Sequence, residues 1–181
     1  MYNYITVGPY TGPYRDIARR VKSLDPEALQ AAAIALRNIL PPNAVLVPVP
    51  SHSGEPTFSF VLCRFIAAAS RFPMFDCLRG VPRESLCDLK NREFLQGMQK
   101  GSLMPKPETL GFRLTRTPPV GKRPCLIDNV LASGTTAAAA LSLFGPDALM
   151  AVIACDETYP KVPGLVDACE EVSQERNRLR P

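Results

Sequence analysis

Apolar positions along the chain fall into short runs set apart by prolines and polar turns, and the period of each run predicts its element. Asp25-Pro26-Glu27 reads as a helix start, with Asp as N-cap, Pro at the first helical position and an acid in the first turn. Leu29, Ala32, Ala33, Leu36, Ile39 and Leu40 follow at helical spacing until Pro41-Pro42 stops them. Ala44 to Val49 is apolar and brief, a buried strand with Pro48 near its end. A polar loop over 51–57 leads into Phe58 to Ala69, again apolar at helical spacing. Met74 to Leu78 suggests a second short strand. From Arg79 to about Lys122 the pattern weakens among prolines and glycines, and a polar helix over Asp88 to Gln99 interrupts what otherwise reads as a mobile, Pro-rich insertion. Pro124 to Asn129 predicts a strand, Thr135 to Phe144 a helix, Ala148 to Cys155 a strand and Gly164 to Arg178 a closing helix.

Strands alternating with helices predict an α/β fold, a mostly parallel central sheet flanked by helices. Residues 1–181 have the length of a single domain, and 46% apolar residues suffice for its core. Nineteen prolines, about twice the usual share, keep the elements short. In open α/β sheets ligands bind beyond the carboxyl ends of the strands, so loops 51–57 and 131–136 are the places to look for chemistry.

Composition narrows the function classes. A net charge of +4 with 21% charged residues fits an anionic small ligand better than a nucleic acid, for which neither a basic cluster nor an aromatic platform is evident. No run approaches a membrane span, and the N-terminal segment lacks a basic-then-apolar leader, which predicts a cytoplasmic protein. Six cysteines without a close pair and one histidine predict buried thiols, neither a zinc site nor a disulfide framework.

The stretch Cys125-Leu-Ile-Asp-Asn-Val-Leu-Ala-Ser-Gly-Thr-Thr136 concentrates the candidate chemistry. Ala132, Ser133, Gly134, Thr135 and Thr136 form a small hydroxyl-rich turn at a helix start, able to aim N–H and O–H donors at a phosphate. Gly134 suits the positive φ such a turn needs. The lysine of a P-loop is absent, as is any dinucleotide-type glycine pattern. Asp128 and Asn129 precede the turn, and a carboxylate there suits the vicinal hydroxyls of a ribose. A strand end followed by a capped helix explains the same residues equally well.

This stretch resembles the phosphoribosyl-pyrophosphate (PRPP) motif of type I phosphoribosyltransferases at Asp128, Val130, Leu131, Ser133, Gly134 and Thr136. Tyr10-Thr-Gly-Pro-Tyr-Arg-Asp16 with Lys22, Val47-Pro-Val-Pro50 and Arg79 extend the resemblance to the ComF/GntX-like branch. The resemblance implies that the domain binds PRPP with Mg2+ and transfers ribose 5-phosphate to a nitrogen acceptor, releasing pyrophosphate. Asp128 and Asn129 would serve the ribose and the catalytic step, Ala132 to Thr136 the 5′-phosphate, and Ser51, His52, Ser53 and Gly54 the pyrophosphate. Arg79 is a candidate pyrophosphate contact, and Arg83, Lys90 and Arg92 are further basic candidates. Magnesium would arrive on the ligand, with no direct protein ligand assigned. A homodimer is a further implication.

Three departures stand out. Asn129 replaces the second acid of the pair, exchanging a charged hydrogen bond of about 1.5–3 kcal/mol for a neutral one of about 0.5–1.5. Ala132 stands where purine-salvage relatives place an acid, and the cysteine-rich zinc module that often precedes ComF-type domains is not expected here. The alternative expectation is therefore a non-catalytic PRPP- or nucleotide-sensing protein, or a ComF-like accessory to competence and DNA uptake.

Overall fold

The computed structural model describes residues 1–178. Five strands build the central sheet: β1 (Tyr2–Pro9), β2 (Ala44–Pro48), β5 (Arg123–Leu131), β6 (Leu149–Cys155) and β7 (Leu165–Asp167). They lie in the order β2-β5-β6-β1-β7, every pairing parallel. A parallel sheet needs cover on both faces, and β2 and β6 are accordingly buried along their whole length.

One face carries α1 (Gly12–Lys22), α2 (Pro26–Ile39), α3 (Phe58–Ala68) and α6 (Cys169–Arg178) over Ile5, Leu46, Ile127 and Ile153. The other carries α5 (Thr135–Leu141) and a small antiparallel hairpin of β3 (Leu78–Arg79) and β4 (Arg113–Leu114), packed on Val47, Leu126, Met150 and Val152. The α2 start is built as its sequence predicts, with the Asp25 carboxylate accepting from the Ala28 N–H at 3.0 Å.

Several expectations need correcting. Tyr2–Pro9, to which the sequence pattern assigns no element because its aromatic and polar residues show no buried-strand run, is a strand between β6 and β7. Met74 to Leu78 is not a strand: Met74 makes one isolated bridge to Leu46, and pairing begins at Leu78. Gly164 to Arg178 does not form one helix, because Leu165–Asp167 first pairs with β1. The stretch 80–112 holds α4 (Leu86–Leu95) and a short 3-10 turn at Pro107–Leu110. Glu93, 2% exposed, organises it by accepting from Tyr159 Oη (2.6 Å), Leu103 N (2.7 Å) and Gly101 N (3.0 Å).

Sheet order and helix placement create a crevice. After β2 the chain turns toward α3 on one face, while after the neighbouring β5 it turns toward α5 on the other. The two exits diverge and leave an opening at the carboxyl ends of the strands, where such sheets bind ligands. Among the described residues no helix is long and apolar enough to cross a membrane.

Candidate functional site

A cleft of about 500 Å³ opens at that divergence. The end of β5 and the turn after it form its floor and one wall, α1 a second wall, and Ser51, His52 and the insertion from Arg83 to Asn91 the rest.

β5 extends through Leu131, so Asp128 and Asn129 lie within the strand and not at its mouth. Successive strand residues point to opposite faces, and the two part accordingly. The Asn129 Nδ2 donates to the Ala18 carbonyl of α1 at 3.1 Å, and its backbone N–H donates to Asp128 Oδ1 at 2.8 Å. Asn129 is thus a strut between β5 and α1, a position where a carboxylate would meet a carbonyl oxygen with nothing to donate. Burial pushes the Asp128 carboxyl up to about 6, against the Asn129 N–H and the positive charges of Lys22 and Arg83. It remains mostly ionised at pH 7, the one carboxylate lining the cleft among the described residues.

In the turn after β5, Gly134 sits at φ +80° directly before α5. A Cβ there would fall 1.9 Å from Leu165 Cδ1, so both conformation and close packing select glycine. Ser133 Oγ and Thr135 Oγ1 lie 2.8 Å apart and buried, and Ser133 Oγ accepts from the Thr135 N–H at 3.3 Å. Two of the three expected hydroxyls therefore stiffen the turn from within, leaving the half-buried Thr136 as the outward one. The Val162 N–H donates to the Ser133 carbonyl at 2.8 Å and pins the turn from outside. The N–H groups of Thr136 and Ala137 open a helical turn that offers them no backbone acceptor.

The loop after β2 divides. Ser51 and His52 line the cleft, whereas Ser53 and Gly54 do not. Gly54, at φ +88°, would bring a Cβ within 2.7 Å of the Gly80 carbonyl, so it seals the loop onto the insertion. Arg79 also lies outside the lining, held by Asp76 (2.5 and 2.9 Å) and Glu55 (2.8 Å). Arg92 pairs with Glu84, likewise outside it.

Arg83 and Lys90 do line the cleft. Lys90 is committed to Asp156 at 3.2 Å and stacks on Tyr159 at 4.4 Å. Arg83 donates to the Ser51 carbonyl at 3.0 Å, stacks on Phe112 at 5.4 Å and leaves its buried Nε without a hydrogen-bond partner among the described residues. Burial lowers its pKa, partly offset by Asp128.

The sequence set Arg15 and Lys22 among the residues of the ComF-like resemblance but gave the cations of α1 no place at the site. Arg15, Arg19 and Lys22 recur at helical spacing and all line the cleft. The signal was present once Gly12-Pro13 is read as a helix start. Among the described residues no group of three or more His, Cys, Asp or Glu side chains could hold a metal ion. Cys63, Cys77, Cys125 and Cys155 are buried thiols, Cys169 is half-buried and Cys87 is exposed. A scan against protein-family models gives no match, and a search of curated proteins gives none either.

Proposed function

We propose that the protein is a type I phosphoribosyltransferase-like domain that binds PRPP with magnesium and transfers ribose 5-phosphate to a nitrogen acceptor. The observation that carries this reading is a lone carboxylate, Asp128, on the floor of a cation-lined cleft beside the stiffened turn 132–136. Asp128 accepts from the ribose hydroxyls, and the turn donates to the 5′-phosphate. Bound magnesium would neutralise diphosphate charge. The bond from the anomeric carbon to the diphosphate oxygen breaks with its electron pair leaving on pyrophosphate, and the acceptor nitrogen bonds to that carbon and gives up its proton to the released pyrophosphate or to solvent. The chain contributes placement of the two reactants and stabilisation of the departing charge.

Titration calorimetry with PRPP and magnesium tests this: saturable binding in the wild type, lost in Asp128→Ala. Absence of heat with the wild type overturns it. A second reading, a PRPP- or nucleotide-sensing protein or a ComF-like accessory, is favoured by one feature. Ala132 places no acid at the turn, and Asn129 is engaged with α1, so no second acid accompanies Asp128. Detection of pyrophosphate release with any nitrogen acceptor eliminates the sensor.

A further inference from the structure

The loop expected to hold pyrophosphate spends its donors on itself. The Ser51 N–H donates to the Glu55 carbonyl (2.9 Å) and the Gly54 N–H to the Ser51 carbonyl (3.1 Å). Those of Ser53 and Glu55 donate to Ser51 Oγ (3.3 Å) and Ser53 Oγ (3.4 Å). Ser51 and Ser53 hydroxyls are bonded to each other at 2.8 Å. Among the described residues, only the His52 N–H of those from Ser51 to Glu55 lacks a protein acceptor. A diphosphate carrying several negative charges needs more than that.

The wall opposite supplies it. Arg15, Arg19 and Lys22 line the cleft along one face of α1, and none has an ion-pair partner among the described residues. The acids near this helix are drawn elsewhere: Asp16, Asp25 and Glu27 all pair with Arg20, whose side chain takes no part in the cleft lining. The Asn129–Ala18 bond fixes the stripe against the strand that bears Asp128. From the insertion, Arg83 adds a guanidinium with an unpartnered buried Nε.

We infer that a di- or oligophosphate group is held by the cationic face of α1, Arg15, Arg19 and Lys22, together with Arg83, and not by the 51–54 turn. This rests on the proposed PRPP reading for the identity of the ligand, but the two fail separately. Arg and Lys with no direct ion pair beside a cleft form short, charge-assisted bonds to phosphate oxygens.

Two probes divide the ligand: inorganic pyrophosphate for the α1 half, ribose 5-phosphate for the Asp128 half, each with magnesium at 0.15 M ionic strength. The Arg19→Gln/Lys22→Gln variant is expected to bind pyrophosphate at least about tenfold more weakly. Its affinity for ribose 5-phosphate should stay within about threefold, since separation and salt screen the remainder. Arg64→Gln/Arg71→Gln removes the same charge from exposed positions outside the cleft and should leave pyrophosphate binding within about twofold. Thermal unfolding establishes that each variant is folded.

Pyrophosphate binding unaffected by the α1 substitutions, equally weakened by the control pair, or absent while ribose 5-phosphate binds would overturn the inference. Pyrophosphate binding that depends on α1, with no ribose 5-phosphate binding and no effect of Asp128→Ala, would uphold the oligophosphate site and overturn the PRPP reading.

Discussion

The substitution Asn129→Asp, which places a second acid beside Asp128, separates two accounts of this position. If residue 129 simply grips ribose, the substitution converts a neutral hydrogen bond into a charged one and strengthens binding. The structure dictates the opposite. Nδ2 donates to the Ala18 carbonyl at 3.1 Å, and a carboxylate there loses that bond, worth about 0.5–1.5 kcal/mol, and leaves an acceptor facing an acceptor, costing a further ~1–3 kcal/mol. A total near ~3 kcal/mol corresponds to a fall in Tm of roughly 6–12 °C for a domain of this size. The new carboxyl regains a donor only when protonated, so its folded pKa lies above the unfolded value. The deficit is present above that folded pKa and shrinks as pH falls through it. Thermal unfolding of wild type, Asn129→Asp and Asn129→Ala at pH 8 and pH 5 is the assay. Asn129→Ala, which only deletes the bond, should cost about 1 kcal/mol. A pH 8 Tm for Asn129→Asp equal to that of the wild type, or above that of Asn129→Ala, would refute the strut.

Three further outcomes follow from the same geometry. Asp128 is held near 6, above its unfolded value, so its contribution favours folding at low pH and is lost as pH rises through 6. Asp128→Asn should therefore stabilise the ligand-free chain at pH 8 by about 3 kcal/mol while abolishing ribose 5-phosphate binding; calorimetry and denaturant unfolding read the two effects. Gly134→Ala imposes about 1–2 kcal/mol of left-handed strain and displaces Leu165, so unfolding should show the loss and phosphate affinity should fall with it. Glu93 holds its carboxyl low because bonds from Tyr159, Gly101 and Leu103 outweigh burial. Glu93→Gln should cost about 1–2 kcal/mol and speed amide exchange over residues 96–106, an effect the wild type should reproduce as pH falls through that depressed pKa.

Much of the scaffold was legible because burial and helix punctuation leave strong local signals. Asp25-Pro26 and the continuous apolar runs at 44–49 and 148–155 located α2, β2 and β6 within a residue or two. The N-terminal strand was not, because Tyr2, Asn3, Tyr4 and Thr6 are half-buried and satisfy no simple period; only pairing with β6 and β7 makes them a strand. Leu165–Asp167 is similar, a strand of three residues defined by its partner β1. For the site, Asp128 and the turn 132–136 were readable as residue types in order. Direction was not: nothing local to Asn129 announces that its amide reaches Ala18, 111 residues away. The internal pairing of Ser51 with Ser53, and of Arg79 with Asp76, likewise depends on side-chain geometry and not on composition.

The central claim is a placement: ribose on Asp128, phosphate on the turn behind it. A crystal structure with PRPP and magnesium bound tests it most directly. The account predicts ribose hydroxyl oxygens about 2.7 Å from the Asp128 carboxylate and the 5′-phosphate against the N–H groups of Ser133 to Ala137. PRPP seated elsewhere, or in this cleft with its ribose turned away from Asp128, would contradict it.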